Sequence, residues 1–77
     1  MKSEKAAHYG TAGLATLKEA TIQALGKTPH NSSYVRVALF GRKATHESYR
    51  KVVVNVLKLL QAEGRVERQG NGWRLPD

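Results

Sequence analysis

Apolar residues recur at helical spacing along most of this chain and change to alternation only near its end. From about Thr11 to Leu25, the residues Leu14, Leu17, Thr21 and Leu25 fall three and four apart. Ala20 and Ala24 widen that stripe, and Lys18 and Gln23 lie away from it. Gly26 follows where a left-handed cap ends a helix, and Lys27-Thr28-Pro29-His30-Asn31 breaks the pattern. Asn31, Ser32 and Ser33 are each suited to cap a second helix. The stretch Tyr34–Phe40 reads two ways. Its β-branched residues suit a strand. Val35, Ala38 and Leu39 also share one helix face, and Gly41 stands where a helix would stop. The second reading is taken. Gly41-Arg42-Lys43-Ala44 is a short basic connector, after which Thr45 is placed as the cap of a third helix running to about Glu63.

The third segment carries the strongest helical signal. Tyr49, Val53, Val56, Leu57 and Leu60 make a continuous face. Glu47, Lys51, Val54 and Lys58 lie opposite, with Arg50 at the margin, and Gly64 closes the helix. Alternation then takes over: Val66 between Arg65 and Glu67, and Arg74 between Trp73 and Leu75. Gly70-Asn71-Gly72 stands between these runs, and Asn-Gly is a strong hairpin signal. The pattern therefore predicts a mostly α domain over residues 11–77, with three helices and a C-terminal β-hairpin over about 65–75. Residues 1–10 show no periodic apolar face and read as a flexible N-terminal arm.

Length and composition narrow the class. Seventy-seven residues suffice for one small domain with a thin core. The chain has no cysteine, so disulfide staples and thiolate metal sites are excluded. No apolar run approaches the roughly 20 residues of a membrane span, and the lysines near the N-terminus are not followed by a signal-peptide core. An intracellular protein without membrane contact is expected, in cytoplasm, nucleoid or nucleus. Thirteen basic residues against six acidic ones give a formal charge of +7, which points to a polyanionic partner. Between Arg36 and Lys58 six basic residues face Glu47 alone, while the hairpin adds Arg65, Arg68 and Arg74 against Glu67.

The order of elements resembles the winged helix-turn-helix family over about Thr11 to Leu75. The resemblance is most specific from Val53 to Arg68, where Leu57, Leu60, Gly64 and Val66 keep a recurring spacing, and at Gly72-Trp73-Arg74-Leu75. It implies a three-helix winged helix-turn-helix that binds double-stranded DNA, with the third helix in the major groove and the hairpin as a wing. Linker-histone globular domains share the pattern around Leu57–Gly64 and Trp73-Arg74-Leu75, which implies architectural binding, but this sequence lacks lysine-dense tails. Z-DNA-binding domains fit less well. Alignment at Gly64 keeps Trp73 but places Val54 and Lys58 at the two remaining reading positions, with Asn55 one residue off. A one-residue slip turns a helix by about 100°, so that match is set aside.

The candidate nucleic-acid-binding residues follow from the third helix and its surroundings. Arg42 and Lys43 suit phosphate contacts. Thr45, His46, Glu47, Arg50 and Lys51 occupy the first turns of the helix, where base edges come within reach. Arg50 suits guanine and Glu47 suits a cytosine amine, while Asn55 lies further along. Arg68, Asn71 and Arg74 belong to the hairpin. Plainer readings stand beside these. Glu47 is as well placed to pair with Lys51 one turn on. Trp73 suits packing of the hairpin better than groove insertion. Val52 and Leu59 flank the third helix and serve either internal packing or a second subunit, so a homodimer stays open. His8, His30 and His46 share no ligand spacing, and no phosphate loop, nucleophile or carboxylate pair is present, so no metal, cofactor, small-molecule ligand or catalysis is expected. The leading expectation is a small sequence-specific transcriptional regulator. The alternatives are a protein-interaction module of a larger assembly and a non-specific architectural or RNA-binding domain.

Overall fold

A computed structural model describes residues 13–76, which form three helices followed by a two-stranded antiparallel hairpin. The arm expected over residues 1–10 lies outside the described residues. Helix α1 spans Leu14–Leu25, α2 spans Ser32–Phe40 and α3 spans Glu47–Ala62. Strands β1 (Glu67–Gln69) and β2 (Gly72–Arg74) complete the order. Among the described residues no helix is long and apolar enough to cross a membrane.

In α1, Leu17, Thr21 and Leu25 point inward. The Thr21 hydroxyl donates to the Leu17 carbonyl at 2.8 Å, so its burial leaves no polar atom unmatched. Leu14, expected on the same stripe, is 49% exposed. It is the first residue of the helix and faces the end of the fold, where it shares a shallow depression with Lys18, Glu63 and Arg65.

The ambiguous Tyr34–Phe40 stretch is helical. Asn31 caps it, its side-chain oxygen accepting from the Tyr34 amide at 2.8 Å. Val35, Leu39 and Phe40 are buried, whereas Ala38 is exposed. The inward face of α2 is thus turned toward Phe40 rather than Ala38, because Phe40 packs against Tyr49 of α3 at a ring-centroid distance of 5.0 Å. Large apolar side chains gain more from burial than alanine does.

Helix α3 is the spine of the fold. Val53, Val56, Leu57 and Leu60 are buried, and Tyr49 is half-buried. Its cap is His46, not Thr45 as the sequence suggested. The His46 Nδ1 accepts from the Ser48 amide at 3.1 Å. Thr45 belongs instead to the preceding turn, where its amide donates to the Lys43 carbonyl at 2.9 Å. At the far end Gly64 leaves the helix at φ 78°, and the Arg65 amide returns to the Leu60 carbonyl at 2.9 Å.

The hairpin pairs Glu67 with Arg74, Arg68 with Trp73 and Gln69 with Gly72. Its two-residue turn is therefore Gly70-Asn71, with Gly70 at φ 60°, and not the Asn71-Gly72 pair the sequence pointed to. The register is set from outside the hairpin. His30, in the α1–α2 connection, bridges Trp73: the His30 amide donates to the Trp73 carbonyl at 2.9 Å and the Trp73 amide donates back at 2.7 Å. A side chain at Gly72 would lie 3.0 Å from the His30 nitrogen and from Pro29 Cβ, so the close approach of the loop to the ladder favours glycine here. Leu75 extends the junction with a bond to the Gly26 carbonyl at 2.8 Å. Trp73 is buried beneath, as the packing reading required, with Val66 beside it in the core.

Candidate nucleic-acid interface

The buried face of α3 fixes which side chains it presents to solvent. With Val53, Val56, Leu57 and Leu60 inward, the opposite side carries Glu47, Lys51, Asn55 and Lys58, all exposed, with exposed Arg50 and half-buried Val54 along its margin. Arg50, Lys51, Val54 and Asn55 line one shallow depression. The spacing puts two successive helix turns on a single surface. Glu47 pairs with Arg50 at 3.4 Å, three residues on, rather than with Lys51. The Glu47 carboxylate therefore sits over the arginine flank of the depression and leaves the Lys51 ammonium unpaired among the described residues.

The connector before α3 is held tightly for a surface turn. The Arg36 guanidinium donates to the Ala44 carbonyl at 2.6 Å, Ala44 is buried, and the Ala44 amide donates to the Gly41 carbonyl at 3.3 Å. Gly41 makes the bend at φ 89°. Arg42 and Lys43 are thereby carried exposed at the N-terminal end of α3, next to His46 and Ser48. A helix N-terminus favours anions, and here it is flanked by two cations. Sequence reasoning counted Arg36 only as charge. Its signal was position: it lies between Val35 and Phe40 around α2, on the half-buried side.

The hairpin divides its three arginines among different tasks. Arg68 is exposed, with its guanidinium 5.1 Å from the Trp73 ring centroid, and Asn71 is exposed at the tip. Arg74 is turned inward, where it donates to Glu67 at 2.7 Å and to the Lys27 carbonyl at 3.0 Å. Arg65 donates to Glu19 at 2.7 Å, tying the end of α3 to α1. That hydrogen bond raises the Arg65 guanidinium above its ordinary pKa; desolvation opposes it, and the charges of Glu19 and Glu63 add smaller upward contributions. Lys18 pairs with Glu63 across the same two helices.

The described cations thus fall into two groups. Lys18, Arg36, Arg65 and Arg74 hold elements together. Arg42, Lys43, Lys51 and Lys58, with Lys27 apart from them, make no side-chain ion pair or hydrogen bond among the described residues. Arg50 is shared with Glu47 but remains 64% exposed, and exposed Arg68 lies over the Trp73 ring. No group of three or more metal-ligating side chains comes together among the described residues. The chain matches no family model, no curated protein and no solved structure.

Proposed function

We propose that this domain binds double-stranded DNA in the manner of a winged helix-turn-helix, with α3 in the major groove and the hairpin beside it, as a sequence-selective regulator. The observation that carries the reading is the sorting of cations. Those that stabilise the fold are consumed by carboxylates and carbonyls. Those left unpaired gather on the α2–α3 connector and the outward side of α3. A major groove admits one helix, and the outward face of α3 is a single exposed surface with its N-terminus flanked by Arg42 and Lys43. Selectivity over architectural binding is favoured by Glu47. A carboxylate at the first turn repels phosphate wherever it lands, so it suits a surface that tests bases and not one that only neutralises backbone.

The test is fluorescence anisotropy with a duplex across a range of salt, followed by selection from a randomised pool. Log affinity should fall linearly with log salt at about −0.9 per phosphate contacted. Replacing Arg42 and Lys43 together by alanine should flatten that slope by about two such contacts. Enrichment of a motif supports a regulator, and binding without enrichment supports the architectural alternative. Absence of binding at low salt overturns DNA as the partner and turns the basic surface into a docking face for an acidic protein.

A further inference from the structure

Val54 is out of place on a solvated helix face. It lies off the buried line of α3, between Lys51 and Lys58 along the helix and beside Arg50 and Asn55 around it. Local structure gains nothing from it there, because a β-branched residue forms helix less readily than the lysines around it. The core does not claim it either: it lies on the flank of the buried line and is not among the partly buried apolar residues that pack against the core. It is half-buried, and the four residues Arg50, Lys51, Val54 and Asn55 share one depression. That depression has one apolar contact surface and three hydrogen-bonding or charged walls.

The major-groove edge of duplex DNA offers one small apolar group among its donors and acceptors, the 5-methyl group of thymine. The side chains around Val54 are those that pair with the neighbouring features: arginine with the O6 and N7 of guanine, asparagine with the N6 and N7 of adenine. Arg50 and Val54 stand one helix turn apart, about 6 Å along the axis. That is about two base-pair steps of 3.4 Å. Resting on the DNA-binding reading above, we infer that Val54 is a specificity residue that packs on a thymine 5-methyl group, with Arg50 gripping a guanine no more than about two steps away. The Glu47 carboxylate lies 3.4 Å from the Arg50 guanidinium beside the depression.

The experiment uses the full 77-residue chain and its Val54→Ala variant. Val54 is half-buried and alanine is the better helix former, so the variant keeps the fold, and its thermal melting curve checks this. The duplex selected from the pool is compared with versions in which single thymines are replaced by deoxyuridine, which removes the methyl group and leaves base pairing intact. At one thymine the wild type should weaken about fourfold, the equivalent of one buried methyl group, and Val54→Ala should not respond. Equal responses of the two proteins, no response in either, or a selected motif without thymine would overturn the assignment of Val54 while leaving DNA binding in place. No binding of any duplex overturns both readings.

Discussion

Alanine at position 72 should loosen the hairpin from the body of the protein. The perturbation is one methyl group in a place without room. It would lie 3.0 Å from the His30 nitrogen and Pro29 Cβ and 3.2 Å from the Pro29 carbonyl carbon. Ordinary contact between such atoms is about 3.5–4.0 Å, so the loop must give by a few tenths of an ångström. Two of the three obstacles are backbone, which no rotamer change relieves. The same retreat stretches the paired bonds between His30 and Trp73, now 2.9 and 2.7 Å. Each such bond contributes about 1 kcal/mol net, and overpacking alone costs about 1–3 kcal/mol. The reduced freedom of alanine in the unfolded chain returns at most about 1 kcal/mol. A loss of about 2 kcal/mol is expected, a large part of the stability of a small domain. Urea unfolding followed by far-ultraviolet circular dichroism measures it. Amide exchange locates it: the His30 and Trp73 amides should lose protection while those of α3 keep theirs. Gly70→Ala is the control, because its φ of 60° carries strain but its Cβ would meet nothing within 4 Å. That variant should be destabilised with the His30–Trp73 bridge still protected. If Gly72→Ala unfolds within about 0.5 kcal/mol of wild type and keeps the bridge amides protected, the loop does not set the hairpin register.

Two further outcomes separate stability from binding. Arg36→Met keeps the side-chain stem but leaves the Ala44 carbonyl without its 2.6 Å donor, so unfolding should be about 1–2 kcal/mol easier, and duplex affinity should fall because Arg42 and Lys43 lose their fixed presentation; an unchanged melting temperature would show that the connector does not need the pin. His46→Asp preserves an acceptor for the Ser48 amide and adds a favourable charge at the start of α3, so the melting temperature should hold or rise by an amount equivalent to about 0.5–1 kcal/mol, while duplex affinity falls; tighter binding by this variant would place phosphate elsewhere.

The sequence was most legible where burial and local preference agree. In α3 the inward line from Tyr49 to Leu60 could be read from spacing alone, because no other arrangement of those residues hides them together. The same logic decided Tyr34–Phe40 only in part. Helix was right, but the face was misjudged at Ala38, since the choice between it and Phe40 depends on Tyr49, nine residues further on. The hairpin turn moved by one residue for a similar reason. Asn-Gly is a strong local signal, yet Gly72 answers to Pro29 and His30, which lie far away in sequence. The start of α3 moved from Thr45 to His46 because Arg36 pins the connector, a long-range contact that no capping preference reveals. In the candidate site, exposed positions of α3 followed directly from its buried ones. The inward turn of Arg74 and the pairing of Glu47 with Arg50 instead of Lys51 required side-chain geometry.

The distribution of carboxylates explains how a modest excess of charge becomes a local one. Of the described acids, Glu19 pairs with Arg65, Glu63 with Lys18 and Glu67 with Arg74. The first two pairs tie α1 to the end of α3, and the third joins the two strands of the hairpin. Each pair has at least one partner open to solvent and adds little stability. Their larger effect is on the field, because folding removes three negative charges and three positive ones from competition and leaves Arg42, Lys43, Lys51 and Lys58 unpaired on the connector and α3. Only Glu47 remains near the unpaired cations, and it lies against Arg50. An unfolded chain of the same composition spreads its charge along its length, whereas the folded one concentrates it beside the first turns of α3 and the connector. A polyanion should therefore prefer the native state, and binding and folding should reinforce each other by mass action. That coupling gives the salt bridges between α1 and α3 a role in recognition although none of them faces the partner: weakening them frees acids to move and dilutes the field that the connector and α3 present.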